Sequence, residues 1–121
     1  SVVEHDLDRP LPDPASFDAA VLAFAIHHIV DERKRALYAE VFARLEPGGV
    51  FANLEHVASP PAGLHAAFLR ALGTEPEDED PSNKLAALDA QLGWLRDVGF
   101  VDVDCLWKWR ELALLVGTRP A

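Results

Sequence analysis

Two adjacent histidines follow the most apolar stretch of the sequence. The run FDAAVLAFAI, residues 17–26, leads directly into His27 and His28, and the charged segment DERKR begins two residues later. Imidazole titrates near neutral pH, so both side chains are candidates for proton exchange. Adjacent residues point in different directions on a regular backbone, so the two rings are not expected to bind one metal ion together. A structural or solvent-exposed position is the alternative for His28.

Other polar side chains lie at the ends of neighbouring predicted strands. Asp6 follows a short strand predicted over residues 1–5, and Glu55 and His56 end a strand predicted over residues 50–57. In an open α/β sheet, ligands bind beyond the carboxyl ends of parallel strands. The sequence therefore predicts a ligand crevice where these side chains meet the two histidines.

Two other kinds of site are disfavoured by spacing. The five histidines form neither an H-E-x-x-H nor an H-x-x-E-H motif, so no metal site is expected from the set His5, His27, His28, His56 and His65. No serine lies in a G-x-S-x-G motif, which argues against an α/β-hydrolase. Cys105 has alternating apolar neighbours and is expected to be a buried core thiol.

The first half of the chain predicts a strand–helix–strand unit. Residues 17–24 are apolar without alternation, which is typical of a strand buried on both faces. A helix is predicted over residues 31–45, with Asp31 as its N-cap and Leu37, Val41 and Leu45 on one face. The segment PGG at 47–49 is expected to end this helix, and the strand 50–57 follows. Such a unit predicts a parallel pair with a right-handed crossover.

The second half predicts two more helices and two more strands. A short helix is expected over residues 62–72, with Leu64, Phe68 and Leu72 on one side, followed by an acidic loop at 74–82. A second helix is expected over residues 83–98. The strands 100–107 and 110–118 are predicted to form an antiparallel hairpin. Residues 1–121 are thus expected to form a single α/β domain with parallel strands and a C-terminal antiparallel pair.

Composition limits the classes of partner. The 121 residues carry a net charge of −9, whereas proteins with general nucleic-acid affinity have a basic face. A nucleic acid met at one small site stays possible. No apolar run reaches the ~18 residues that cross a membrane. A single cysteine and no signal peptide predict a cytoplasmic location.

The order of these segments matches a known family. The stretch HDLDRPLPDPASFDAAVLAFAIHHIVDERKRALYAEVFARLEPGGVFANLEHV resembles the second half of a class I S-adenosylmethionine-dependent methyltransferase. The closing GWLRDVGFVDVDCLWKWRELALLVGTRP is similar to the last helix and terminal hairpin of such domains. The resemblance covers essentially the whole chain. It implies a partial Rossmann-like sheet with helices packed on it, the C-terminal portion of the domain.

The resemblance also implies a cofactor, S-adenosylmethionine. By position, Asp6 matches the residue that binds the adenine amino group, and Leu7 matches the apolar residue beside the ring. Leu22 and Ala23 match positions along the methionine part.

The two histidines, His27 and His28, match a catalytic pair that faces the cofactor and the methyl acceptor. A neutral imidazole there could take a proton from an oxygen or nitrogen acceptor. The acceptor is expected to be a small molecule or a tRNA base.

One part of the family pattern is missing. The sequence contains no G-x-G, so the glycine-rich first half of such a domain is expected to be absent and the isolated chain to be inactive. In the family, the strand matching residues 17–24 lies in mid-sheet. Here its apolar edge would be unpaired, which predicts a homodimer through that edge. The alternative function is a cofactor-incompetent α/β module that acts through dimerisation or partner binding.

Overall fold

The computed structural model describes residues 4–12 and 16–121, which form one four-stranded sheet and three α-helices. The elements in chain order are β1 (Phe17–Ala23), α1 (Asp31–Arg44), β2 (Leu45–His56), α2 (Ala62–Ala71), a short 3₁₀ helix (Pro76–Asp78), α3 (Leu88–Val98), β3 (Val101–Trp109) and β4 (Leu112–Thr118). The strand order is β1-β2-β4-β3. Strands β1 and β2 are parallel, and the other two pairs are antiparallel. The predicted α/β class is confirmed.

The strand predicted over residues 1–5 is not present at the two of its residues that the structure describes. Glu4 and His5 lie in irregular backbone, and residues 1–3 fall outside the described ranges. Asp6 therefore follows an irregular segment and begins a turn, in which the Arg9 N–H donates to the Asp6 carbonyl at 3.0 Å.

The α1–β2 junction also differs from prediction. The N-cap is Val30, whose carbonyl accepts the Lys34 N–H at 3.0 Å, so Asp31 is the first helical residue and not the cap. Strand β2 begins at Leu45, directly after the helix, so the segment PGG lies within an irregular stretch of the strand. Gly48 has φ of +83°, and a Cβ on Gly49 would lie 2.8 Å from the Glu46 carbonyl oxygen. Both positions therefore require glycine.

The core lies between the sheet and helices α1 and α3. The predicted stripe of Leu37, Val41 and Leu45 is fully buried. At its centre, the Tyr38 hydroxyl donates to Gln91 Oε1 at 2.5 Å and accepts from Asn53 Nδ2 at 3.2 Å. Burial raises the pKa of Tyr38, so the ring stays neutral and can keep both hydrogen bonds.

Helix α2 buries a different side from the predicted one, and helix α3 is shorter than predicted. In α2, Phe68 and Leu69 are buried while Leu64 and Leu72 are exposed, so the predicted apolar side is wrong except at Phe68. Helix α3 begins at Leu88, because residues 83–87 bond to other segments: the Lys84 N–H donates to the His27 carbonyl and the Ala86 carbonyl accepts the Ala58 N–H. Cys105 is half-buried on β3, and its thiol donates to the Trp107 carbonyl.

Strand β1 forms one edge of the sheet. Within the described residues it pairs with β2 alone, and Val21 is 76% exposed. The expectation of burial on both faces is wrong, because Ala19, Val21 and Ala23, which share one face of the strand, are all exposed. Among the described residues, the second edge of β1 is unpaired, as expected.

The loop that carries Asp6 and Leu7 is fastened to α1 through its main chain. Arg33 donates from Nε to the Leu7 carbonyl and from Nη2 to the Arg9 carbonyl, both at 2.7 Å. Glu40 accepts the Leu11 N–H at 2.7 Å and the Arg33 guanidinium at 2.5 Å. Burial by itself would raise the pKa of Glu40, but these hydrogen bonds leave it lowered.

The substitution Glu40→Gln should weaken this fastening. A charge-assisted hydrogen bond of this kind contributes about 1.5 to 3 kcal/mol to the free energy of unfolding. Because the folded-state pKa is below the ordinary value of 4.5, the contribution is present above that pH and is lost as pH falls through the lowered pKa. Urea unfolding of wild type and variant from neutral to acid pH measures it. Glu32→Gln, at an exposed position of the same helix, is the control, and a difference that did not shrink in acid would contradict the assignment.

Candidate functional site

The two histidines lie in the turn between β1 and α1. After β1 the backbone turns at Phe24, which has φ of +53° and whose N–H donates to the Leu54 carbonyl at 2.8 Å. Ile26 is then fully buried, His27 is 13% exposed at its side chain, and His28 is exposed. The turn thus places one imidazole at the end of β2 and the other at the surface.

His27 is oriented by a buried carboxylate. Glu55, near the end of β2, is fully buried and lies 2.6 Å from His27 Nδ1. Its two oxygens also accept the Ile26 N–H at 3.1 Å and the His56 N–H at 2.8 Å. An ionised carboxylate only accepts hydrogen bonds, so the His27 proton is assigned to Nδ1 and Nε2 keeps a lone pair. The pair His27–Glu55 therefore has the arrangement of a general base and the group that orients it.

His28 has a different partner. Its Nδ1 lies 2.9 Å from Ser82 Oγ, and the Ser82 hydroxyl donates to Asp80 Oδ1 at 2.7 Å. Its ring centroid is 4.0 Å from that of His27, with the planes tilted by 49°. The two rings have different hydrogen-bond partners, Glu55 for His27 and Ser82 for His28. His28 contributes to holding the acidic loop near the turn.

Lys84, two residues after the acidic loop, holds the backbone of the histidine turn. The Lys84 N–H donates to the His27 carbonyl at 2.6 Å, and Lys84 Nζ donates to the His28 carbonyl at 3.2 Å. Within the loop, Asp80 accepts the Ser82 N–H, which also contributes to lowering the pKa of Asp80. The sequence predicts an acidic loop at 74–82. The D-x-S spacing of an Asx turn was the available signal for an ordered loop.

A second group of polar side chains surrounds Glu111, in the turn between β3 and β4. Its Oε1 lies 2.8 Å from His56 Nε2 and 2.9 Å from His65 Nδ1. His65 Nε2 in turn lies 2.8 Å from Glu79 Oε1. Sequence analysis named both histidines but missed Glu111 and Glu79, because residues so far apart in the chain are brought together only by the sheet and the acidic loop.

The ionisation of this group follows from its pairing. Hydrogen bonds to Glu79 and then Glu111 raise the pKa of His65 despite some burial. Burial by itself would raise the pKa of Glu111, yet the surrounding donors, His56 and His65 among them, leave it lowered. The His65 ring therefore lies between two carboxylates, and this pairing favours its protonated form.

The four predicted cofactor residues are only partly brought together. Leu7 and Leu22 line one apolar cleft of about 260 Å³ between β1, α1 and the loop before β1, together with Leu37 and Val41. Asp6 is exposed, and its Oδ1 accepts the Asp8 N–H at 3.0 Å. Ala23 is exposed at the end of β1. Asp6 and Ala23 do not line the cleft.

This chain resembles one protein-family model and a set of solved structures. Residues 1–53 match the family model described as a methyltransferase domain. The chain superimposes on the S-adenosylmethionine-dependent methyltransferase SibL with a TM-score of 0.71 at 22% identity, covering 97% of this chain and 35% of that one. The chain has the class I methyltransferase fold. Both comparisons confirm the resemblance to class I S-adenosylmethionine-dependent methyltransferases.

Two further solved structures show the same methyltransferase fold. An O-methyltransferase family protein from Burkholderia thailandensis has a TM-score of 0.72 at 18% identity, covering 98% of this chain and 35% of that one. Human N-acetylserotonin methyltransferase, in complex with SAM, has a TM-score of 0.67 at 19% identity, covering 98% and 33%. The chain thus spans about a third of the solved structures that it matches. No curated protein matches it.

No helix among the described residues combines the length and apolar character needed to span a membrane.

His27 and the four predicted cofactor residues lie within the matched range 1–53, whereas Glu55 and the group around Glu111 lie beyond it.

Proposed function

We propose that this chain forms part of an S-adenosylmethionine-dependent methyltransferase in which His27 takes a proton from the methyl acceptor. The observation that carries the proposal is the 2.6 Å contact between His27 Nδ1 and the buried Glu55. It leaves Nε2 as the proton acceptor, and the Glu55 carboxylate stabilises the imidazolium that forms. His28, whose Nδ1 is engaged by Ser82, has the supporting role.

The residues present fit one part of the cofactor. Asp6 accepts one backbone N–H through Oδ1, which leaves its second oxygen for the adenine amino group, and Leu7 lies in an apolar cleft that suits the ring. Leu22 and the exposed Ala23 provide a small apolar surface for the methionine part. When bound, the cofactor supplies an electrophilic methyl group on a sulfonium. These four residues provide no cation for its carboxylate, so they form one wall of the site.

A small-molecule acceptor with an ionisable O–H or N–H fits this chemistry best. The net charge of −9 opposes a long polyanion, and N-acetylserotonin, named for one structural neighbour, is a small molecule. Trp109, which is 43% exposed, offers aromatic surface nearby, and the buried Phe68 ring lies between it and His56, 6.1 Å from Trp109 and 4.8 Å from His56. A tRNA base is the other acceptor that the histidine would serve. The single cysteine favours a cytoplasmic setting.

Cofactor binding is tested on the chain itself. Calorimetric titration with S-adenosylhomocysteine should give a dissociation constant in the micromolar range. Asp6→Asn should weaken binding about tenfold, the loss of one hydrogen bond to a charged acceptor. Asp8→Asn, two residues away, is the matched control. No heat of binding at millimolar S-adenosylhomocysteine would reject cofactor binding. The alternative function, a cofactor-incompetent α/β module that acts through dimerisation or partner binding, would then be favoured.

The role of His27 as a general base is tested in a methyl-transfer assay, on a form of the protein that has methyltransferase activity. His27→Gln should lower kcat by about two to four orders of magnitude, because glutamine offers no lone pair of suitable basicity. His28→Gln should leave kcat near the wild-type level. Small phenols and amines, and unmodified tRNA, are the acceptors to compare. Equal losses in the two variants would contradict the assignment of His27.

A second candidate function is favoured by the exposed edge of β1. We infer that a second copy of the chain pairs with this edge through a two-fold axis, because unpaired, flat, apolar edges associate in water. Val21, 76% exposed, and the apolar cleft beside β1 are the surface that such pairing covers.

Dimerisation is measured by size-exclusion chromatography with light scattering. The wild-type chain should elute as a dimer and Val21→Lys as a monomer, because an edge lysine opposes pairing. Leu106→Lys, at an exposed position of β3 on the opposite edge, should remain dimeric. A monodisperse wild-type monomer with rapid amide exchange in β1 would reject the pairing.

A further inference from the structure

We propose that His56, His65 and Glu111 bind a single divalent transition-metal ion, with zinc the best match. One ligand atom from each residue lies within 4.8 Å of the other two. The three residues come from separate elements, namely the end of β2, helix α2 and the β3–β4 turn. Sequence analysis expected no metal site from the five histidines, and the site proposed here uses two of them with a carboxylate that the sequence did not connect to them.

The distances suit a zinc ion. Zinc binds imidazole nitrogen and carboxylate oxygen at about 2.0–2.2 Å, which places ligand atoms of a tetrahedral site roughly 3.3–3.6 Å apart. Glu111 Oε1 is already 2.8 Å from His56 Nε2 and 2.9 Å from His65 Nδ1. A separation of these atoms by about half an ångström admits the ion.

Glu111 also has an unsatisfied oxygen. The residue is 1% exposed, and its buried Oε2 receives no hydrogen bond of standard geometry from the described residues. Ser59 lies close enough to contribute to lowering the pKa of Glu111 but does not complete such a bond. A buried carboxylate oxygen without a partner costs free energy, and a bound cation removes that cost.

A second carboxylate orients one of the ligands. His65 Nε2 lies 2.8 Å from Glu79 Oε1, and Asn83 Nδ2 donates to Glu79 Oε2 at 3.0 Å. Carboxylate–histidine–metal arrangements of this kind fix the ring of a ligand and increase its basicity. Glu79 is therefore a positioning residue for the proposed site.

The charge of the surrounding groups suits a cation. The His65 ring lies between two carboxylates, with Nδ1 2.9 Å from Glu111 Oε1 and Nε2 2.8 Å from Glu79 Oε1. The His65 side chain is 27% exposed, so solvent reaches the site and water can complete the coordination.

The effect of the ion would be to tie α2 to the sheet. Helix α2 carries His65 and Phe68, whose ring centroids lie 6.2 Å and 4.8 Å from that of His56 at the end of β2. The His56 ring centroid is 5.8 Å from that of His27. Metal binding would thus stabilise the wall beside the His27–Glu55 pair, and the proposal stands whether or not that pair is catalytic.

The test is titration of the chelator-treated chain with zinc chloride, followed by calorimetry and thermal unfolding. One ion per chain should bind with proton release, and the melting temperature should rise. His65→Gln, at a partly exposed helical position, should weaken zinc binding about 100-fold or more. Glu79→Gln should weaken it about 10- to 100-fold. His5→Gln should bind as wild type.

The absorption spectrum of bound cobalt(II) and the affinities of the variants together show whether the ion binds at this site. Cobalt(II) in place of zinc should give the visible absorption of a four- or five-coordinate ion, lost in both His65→Gln and Glu111→Gln, with folding of each variant checked by circular dichroism. Should Glu111→Gln fail to fold, His65→Gln alone decides. No binding at micromolar zinc, equal affinity in His65→Gln, or loss of binding in His5→Gln would overturn the proposal.

Discussion

The buried carboxylate of Glu55 connects the sheet to the turn that carries the two histidines. A charged group without water needs full hydrogen bonding, and Glu55 obtains it from two backbone N–H groups and the His27 ring. The turn can satisfy Glu55 only in one conformation, because Ile26 N–H and His27 Nδ1 must both point at it. The orientation of His27 is therefore a consequence of burying an acid at the end of β2.

The last two residues of β2 serve two different groups of side chains. Glu55 contacts the turn after β1, and His56 contacts Glu111 in the turn before β4. Neighbouring strands on both sides of β2 supply the other partners, since β1 is parallel to it and β4 antiparallel. The central position of β2 explains how polar residues from distant parts of the chain meet there.

The sequence was sufficient for what depends on local pattern. The apolar run before His27, the stripe of Leu37 and Val41, and the closing hairpin predicted the α/β class and the parallel pair, because burial imposes a period on each element. Positions set by tertiary contacts were not predictable in this way. Asp31 has the residue type of an N-cap but lies one position inside the helix, and Leu64 is apolar but faces solvent.

The same division holds for the candidate site. The polar residues at strand ends identified His27, Glu55 and His56 as neighbours, because topology alone places strand ends together. The sequence did not predict the hydrogen-bond partners of these residues. Glu111 looked like one more residue of a strand, and Glu79 like one of many acids in a loop, since side-chain pairing across 55 or 14 residues leaves no mark in local spacing.

The way α1 holds the preceding loop has a consequence for how such a protein can change. Arg33 and Glu40 bind main-chain atoms of Leu7, Arg9 and Leu11 and do not depend on the side chains there. Substitutions at the exposed loop positions can therefore accumulate while the path of the backbone stays the same. Ligand preference at this corner is free to diverge among descendants without loss of the folded framework.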